Sequence, residues 1–203
     1  MLSLGAIVDP QRIKRKMSYN FDEIIERKQT HSTKWLKFDD PEVIPMWVAD
    51  MDFSCPPEIL NPLHERIDHG VFGYTERPSH LAKILRDRLE VTGWDIDPEW
   101  VTWIPGAVVG LNVSARTFLN PGDMAMTPSP IYRPFTFAPS NMERGMVKTH
   151  MKDVGGRIEL DFDSIEALMS SDIKMFYFCN PHNPGGTVFS HEEIERLVDI
   201  CAK

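Results

Sequence analysis

The apolar run Ile173-Lys174-Met175-Phe176-Tyr177-Phe178 passes directly into Cys179-Asn180-Pro181-His182-Asn183-Pro184-Gly185-Gly186, and then into Ser190-His191-Glu192-Glu193. The run has strand length, and Ser-x-x-Glu is the capped start of a helix. Between them lie two Asn-Pro steps and a Gly pair, a rigid and sharply turning loop. Each Pro fixes its own φ and drives the preceding Asn out of the helical region, which frees the Asn amide to face a ligand. In a sheet whose strands alternate with helices, ligands bind at the carboxyl ends of the strands, where this loop would sit. Asn, Pro and Gly are also the ordinary turn residues, so a plain strand-to-helix turn is the alternative reading.

The rest of the chain repeats this alternation. Helices are expected over residues 21–25, 57–69, 80–92, 108–119, 132–140, 162–169 and 191–203, and strands over 101–104, 123–127, 145–150 and 174–178. Pro56-Pro57 suits a helix start, Gly93 a helix stop, and Asn120-Pro121-Gly122 a turn. Residues 1–18 read as a loose leader, and 34–53, with Pro41 and Pro45, as extended chain. The pattern predicts an α/β fold with a mostly parallel sheet covered by helices on both faces. The last helix lacks a stop signal and reads as cut mid-element.

Composition narrows the class. Of 203 residues, 42% are hydrophobic and 26% charged, an ordinary globular balance. A net charge of −8 argues against nucleic acid or an anionic membrane as a partner. No apolar run approaches the roughly 20 residues needed to span a bilayer. At the N-terminus the basic residues Arg12, Lys14, Arg15 and Lys16 follow the apolar part, the reverse of a secretory signal. Cys55, Cys179 and Cys201 are widely spaced, as expected of free thiols in a reducing cytoplasm. The seven His show no metal-ligand spacing, and Asp50 with Asp52 is a weak metal signal.

Several segments together resemble one family. Asn183-Pro184-Gly185-Gly186 is similar to the Asn-Pro-x-Gly motif of fold type I pyridoxal 5'-phosphate (PLP) enzymes. Trp47-Val48-Ala49-Asp50-Met51-Asp52-Phe53, Phe72-Gly73-Tyr74-Thr75, Pro105-Gly106-Ala107-Val108-Val109 and Pro130-Ile131-Tyr132-Arg133-Pro134-Phe135 occur in the order used by the MalY/PatB branch, the cystathionine β-lyase-like aminotransferases. The resemblance runs from about Asn20 to the end and implies an N-terminal half. It implies an arm and small-domain segment over residues 1–52, and the first part of the PLP-binding large domain over 53–203. It also implies a cytoplasmic homodimer acting on amino acids.

The resemblance assigns roles residue by residue. The backbone N–H groups of Ala107 and Val108, at the start of a helix, hold the PLP phosphate; helix N-termini favour anions. Ala107 departs from the Gly common there. Tyr132 stacks on the pyridine ring, and Asn183 donates to its phenolic oxygen, while Asn180 supports the loop backbone. Tyr74 reaches the cofactor phosphate of the neighbouring subunit, and Ala49 and Asp50 line the substrate mouth. His182 reads as a positioning or solvent-facing residue rather than a base. The Schiff-base Lys is expected beyond Lys203, since Lys148, Lys152, Lys174 and Lys203 lie in no matching motif. The implied activity is a carbon–sulfur β-lyase releasing thiol, pyruvate and ammonia, with aminotransferase as the nearer alternative. A truncated, non-catalytic binding or regulatory paralogue is the alternative from another class.

Overall fold

The computed structural model describes residues 19–203, so the leader expected over 1–18 lies outside the described residues. The chain divides into two compact units at Pro78/Ser79.

In the first unit a single 3-10 turn (Lys28–Thr30) precedes helix α1 (Pro57–His69), which is entered through Pro56 and closed by Gly70 in the left-handed region. The short helix expected over 21–25 is absent. The Asn20 side chain accepts from the Asp22 N–H at 3.2 Å, but the turn it opens is not continued, and the aromatic side chain of the segment packs elsewhere. The Phe21 ring meets Phe53 edge-on at 5.2 Å, while Ile24 is almost fully exposed. The remainder, from residue 31 to 56, is turns and irregular chain.

The second unit carries helix α2 (Ser79–Glu90), then helix α3 (Ala107–Phe118), strand β1 (Met124–Ser129) and helix α4 (Pro134–Asn141). Strands β2 (Gly145–Val154) and β3 (Arg157–Leu160) follow, then helix α5 (Phe162–Leu168), strand β4 (Ile173–Phe176) and helix α6 (His191–Cys201). The sheet order is β3-β2-β1-β4. β1 pairs in parallel with both β2 and β4, and β3 runs antiparallel to β2.

The strand expected over 101–104 is absent as well. The Val101 N–H instead donates to the Pro98 carbonyl and closes a single 3-10 turn. The β2–β3 hairpin was not foreseen. Its turn is Gly155-Gly156, both at positive φ, which lets two twisted strands join through two residues. Charged residues crowd the hairpin, and they hid the alternation that marks a strand.

β1 explains why the unit is layered. Its successive side chains point to opposite faces. Ala125 enters one core with Ala115, Leu119 and Tyr177, and Met126 enters the other with Leu160, Ile165, Phe189, Leu197 and Ile200. Helix α3 thus covers one face and α5 and α6 the other, and residues 125–128 are buried throughout. No helix among the described residues is long and apolar enough to cross a membrane.

Candidate active site

β1 and β4 are parallel neighbours, so the segments that leave their carboxyl ends emerge on the same edge of the sheet. Tyr132 lies on the first and Asn183 on the second. The two are joined directly: the Tyr132 N–H donates to the Asn183 carbonyl at 2.8 Å. Both side chains remain solvent-exposed. The Tyr132 ring meets Phe135 edge-on at 6.5 Å, and Phe135 in turn meets Tyr177 at 6.0 Å.

Tyr177, one residue past β4, ties α3 to this edge. Its hydroxyl donates to the Leu111 carbonyl at 2.7 Å and lies 3.1 Å from Ser114 Oγ. Burial pushes its phenol above the ordinary value. Thr127 Oγ1 donates to the Tyr177 carbonyl at 3.0 Å, so the strand beneath holds the same residue. Leu111 is one turn from Ala107, which puts the N-terminus of α3 at the carboxyl edge of the strands. Gly106 precedes it with φ 120°, a conformation that residues with a Cβ rarely adopt. No side chain caps this helix, and its first internal bond is Gly110 N–H to Gly106 carbonyl. The amides of Ala107, Val108 and Val109 therefore precede the helix's own ladder, at the positive end of its dipole. Uncapped amides with a glycine at the mouth suit an anionic oxygen cluster.

The loop after β4 is internally braced. Its Asn180–Pro181 and Asn183–Pro184 bonds are cis. Asn180 supports the backbone, accepting from the Phe189 N–H at 3.2 Å. His182 is only 3% exposed, which removes the solvent-facing reading. Its Nδ1 accepts from the Gly185 N–H at 3.1 Å. Burial lowers its pKa, with the Pro130 carbonyl opposing. From the hairpin side, Thr187 Oγ1 donates to the Ile158 carbonyl at 2.7 Å.

In the first unit, Ala49 is exposed and Asp50 partly buried, and the Tyr74 side chain is fully exposed. Asp50 is held by Arg27 Nη2 at 2.7 Å. Arg27 Nη1 bonds Asp52 at 2.7 Å and the Met51 carbonyl at 2.9 Å. Lys34 Nζ reaches Asp52 at 2.6 Å and the Asp50 carbonyl at 2.7 Å, and Trp35 Nε1 donates to Asp52 at 2.8 Å. Hydrogen bonds from Lys34 and then Trp35 hold the Asp52 carboxyl below its ordinary value. Both carboxylates are thus engaged by cations, which accounts for the acidic pair without a metal. Arg27 and Lys34 were missed in the sequence. They act 16 to 25 residues away, and no local pattern signals them.

Among the lysines, Lys152 is paired with Asp161 at 2.7 Å, and that bond raises its pKa. A raised, ion-paired ammonium is the opposite of an activated amine.

The family model for aminotransferase class I and II matches residues 42–203. The chain belongs to that family. It is 36% identical over 188 residues to cystathionine beta-lyase PatB of Bacillus subtilis, covering 90% of this chain and 49% of that protein. The solved structure of OvoB matches with a TM-score of 0.83 and 38% identity, over 91% of this chain and 49% of its own. Cystalysin from Treponema denticola, which contains a pyridoxal 5'-phosphate cofactor, matches with a TM-score of 0.82 and 32% identity, over 92% of this chain and 49% of its own. The family member described here thus spans about half the length of these relatives. Its fold is that of the fold type I PLP enzymes, seen over that half.

Proposed function

We propose that this chain forms the cofactor-cradling part of a PLP-dependent carbon–sulfur β-lyase acting on sulfur amino acids such as cystathionine or cysteine S-conjugates. The reaction would split the Cβ–S bond and, with one water, yield thiol, pyruvate and ammonia. The observation that carries this reading is the hydrogen bond from the Tyr132 N–H to the Asn183 carbonyl. It brings together, on one sheet edge, two loops whose motifs match PLP-ring contacts. Relatives described as a cystathionine β-lyase and as a PLP-containing cystalysin support it.

The residues present suit the cofactor. PLP supplies, when bound, an electron sink for negative charge at the α-carbon of an amino acid. The amides of Ala107 and Val108 would hold its phosphate, with the α3 dipole behind them. Tyr132 offers a flat exposed ring, worth ~1 kcal/mol in offset stacking beyond the area it buries. The exposed Asn183 amide would donate to the phenolic oxygen. The backbone of Ala49, with Asp50 anchored by Arg27, would shape the substrate mouth. No lysine of this chain is assigned to carry the cofactor. The reading extends to residues 1–52 as arm and small-domain segment and 53–203 as large domain, to a cytoplasmic location, and to a homodimer. In that dimer each Tyr74 phenol would donate to the phosphate across the interface.

The test is to add PLP and cystathionine to the complete protein and follow cofactor absorbance, pyruvate and ammonia. Release of pyruvate and ammonia is expected. PLP binding with a 2-oxo acid formed and nitrogen retained would favour the aminotransferase reading, and no PLP binding would favour the non-catalytic paralogue.

A further inference from the structure

His182 is buried beside the exposed Asn183, and the role given above to the 183–186 motif leaves it unexplained. Three hydrogen bonds close residues 182–187 on themselves. The His182 N–H donates to the Thr187 carbonyl at 2.7 Å, the Gly186 N–H to the His182 carbonyl at 2.7 Å, and the Gly185 N–H to His182 Nδ1 at 3.1 Å. The last uses the side chain. An Nδ1 that accepts carries no proton, so the neutral ring must bear its proton on Nε2. Nε2 is buried without a hydrogen-bond partner. The ring is wedged in place: Phe189 lies 6.1 Å from it edge-on, and a Cβ at Gly185 would come within 2.6 Å of Nδ1. Pro130, whose carbonyl bears on the ring, stands two residues before Tyr132.

Asn183 is consequently pinned on both sides. Its own carbonyl takes the Tyr132 N–H, and two residues on, the backbone is held by the imidazole. We infer that His182, as the neutral Nε2–H tautomer, is the positioning residue that sets the direction of the Asn183 amide relative to Tyr132. It touches no reacting atom and takes no proton. The inference rests on the PLP reading above. A lost acceptor at 182 would let residues 183–185 relax and would blur the amide's aim, while the rest of the sheet stays intact.

The experiment compares wild type, His182→Leu and His182→Asn in the complete protein. Leu keeps bulk and removes the acceptor. Asn places its Oδ1 as far from Cα as Nδ1, so it can still accept from the Gly185 N–H. Each is titrated with PLP, the pH dependence of cofactor absorbance is recorded, and the wild-type His182 tautomer is read by ¹⁵N NMR without cofactor. Expected are an Nε2–H tautomer, ~3–10-fold weaker PLP binding with a displaced absorbance titration in His182→Leu, the size of one hydrogen bond, and near-complete rescue in His182→Asn. A proton on Nδ1 overturns the inference even if the Leu variant does not fold. Wild-type PLP affinity and titration in His182→Leu, or no rescue by His182→Asn, overturns it also. Wild type that takes up no PLP overturns the functional reading and this inference with it.

Discussion

At Gly185 a side chain has no room. A Cβ there would lie 2.6 Å from His182 Nδ1 and 2.9 Å from Ile158 Cβ, contacts that both partners would have to relieve by moving. Gly185→Ala should therefore destabilise the second unit by about 1–3 kcal/mol, as overpacking does. Urea unfolding reads this directly, and an unmoved midpoint would contradict it. Asn183 presents the opposite case. Its side chain is exposed, and its backbone carbonyl holds the Tyr132 N–H whatever the side chain is. Asn183→Ala should leave the unfolding midpoint within ~0.5 kcal/mol of wild type, as for surface substitutions. It should nevertheless weaken PLP binding by ~3–10-fold, the worth of one lost hydrogen bond. Equal PLP affinity in titrations of variant and wild type would remove Asn183 from the site.

Among the elements, α6 and the β2–β3 hairpin hold each other. Ser190 Oγ accepts from the Glu193 N–H, and the Glu193 carboxylate returns to the Ser190 N–H at 2.7 Å, a complete capping box. The same carboxylate takes a two-pronged bond from Arg157, at 2.9 and 2.7 Å, which fastens β3 to the start of α6. Ser190→Ala should cost about 1 kcal/mol, measured by thermal or urea unfolding; no loss would mean that the box does not stabilise the folded unit. The Arg157 hydrogen bond, the largest influence, holds the Glu193 carboxyl below its ordinary value against desolvation, with lesser help from the Ser190 bonds. A folded-state pKa below the unfolded one makes stability fully present above the unfolded value and lost as pH falls through the folded one. Wild type and Glu193→Gln should accordingly differ in stability near neutrality and converge in acid. A constant gap down to acid pH would show that the charge contributes nothing.

For the whole molecule, the Tyr74 side chain makes a definite demand. It stands fully exposed in the first unit, and the proposed dimer gives it a phosphate to bind. Tyr74→Phe should weaken PLP binding by on the order of tenfold or more, the scale of a hydrogen bond to a charged group. A second test follows from two-fold symmetry, in which two sites are built from both subunits. Subunits carrying Tyr74→Phe, mixed with subunits lacking the cofactor lysine, should regenerate wild-type sites in part of the heterodimers. Confirmed heterodimers without such complementation would count against a shared site.

What could be read from the sequence was whatever a few neighbouring residues decide. Pro56-Pro57, Gly93 and Ser190-x-x-Glu193 mark helix ends because capping and fixed φ act within one turn, and α1, α2 and α6 begin or end within three residues of them. The loop after β4 was legible for the same reason, since Asn, Pro and Gly restrict their own backbone. The β2–β3 hairpin could have been read from Gly155-Gly156, but its charged strands lack the period that reveals an element. Tertiary structure alone decided the rest. Arg27 and Lys34 reach Asp50 and Asp52 across the chain, His182 is buried by Phe189 and Gly185, and the Tyr132 N–H meets the Asn183 carbonyl 51 residues away. Such contacts depend on which strands become neighbours. That choice is made by the burial of Ala125 on one face of β1 and Met126 on the other, and no window of sequence contains it.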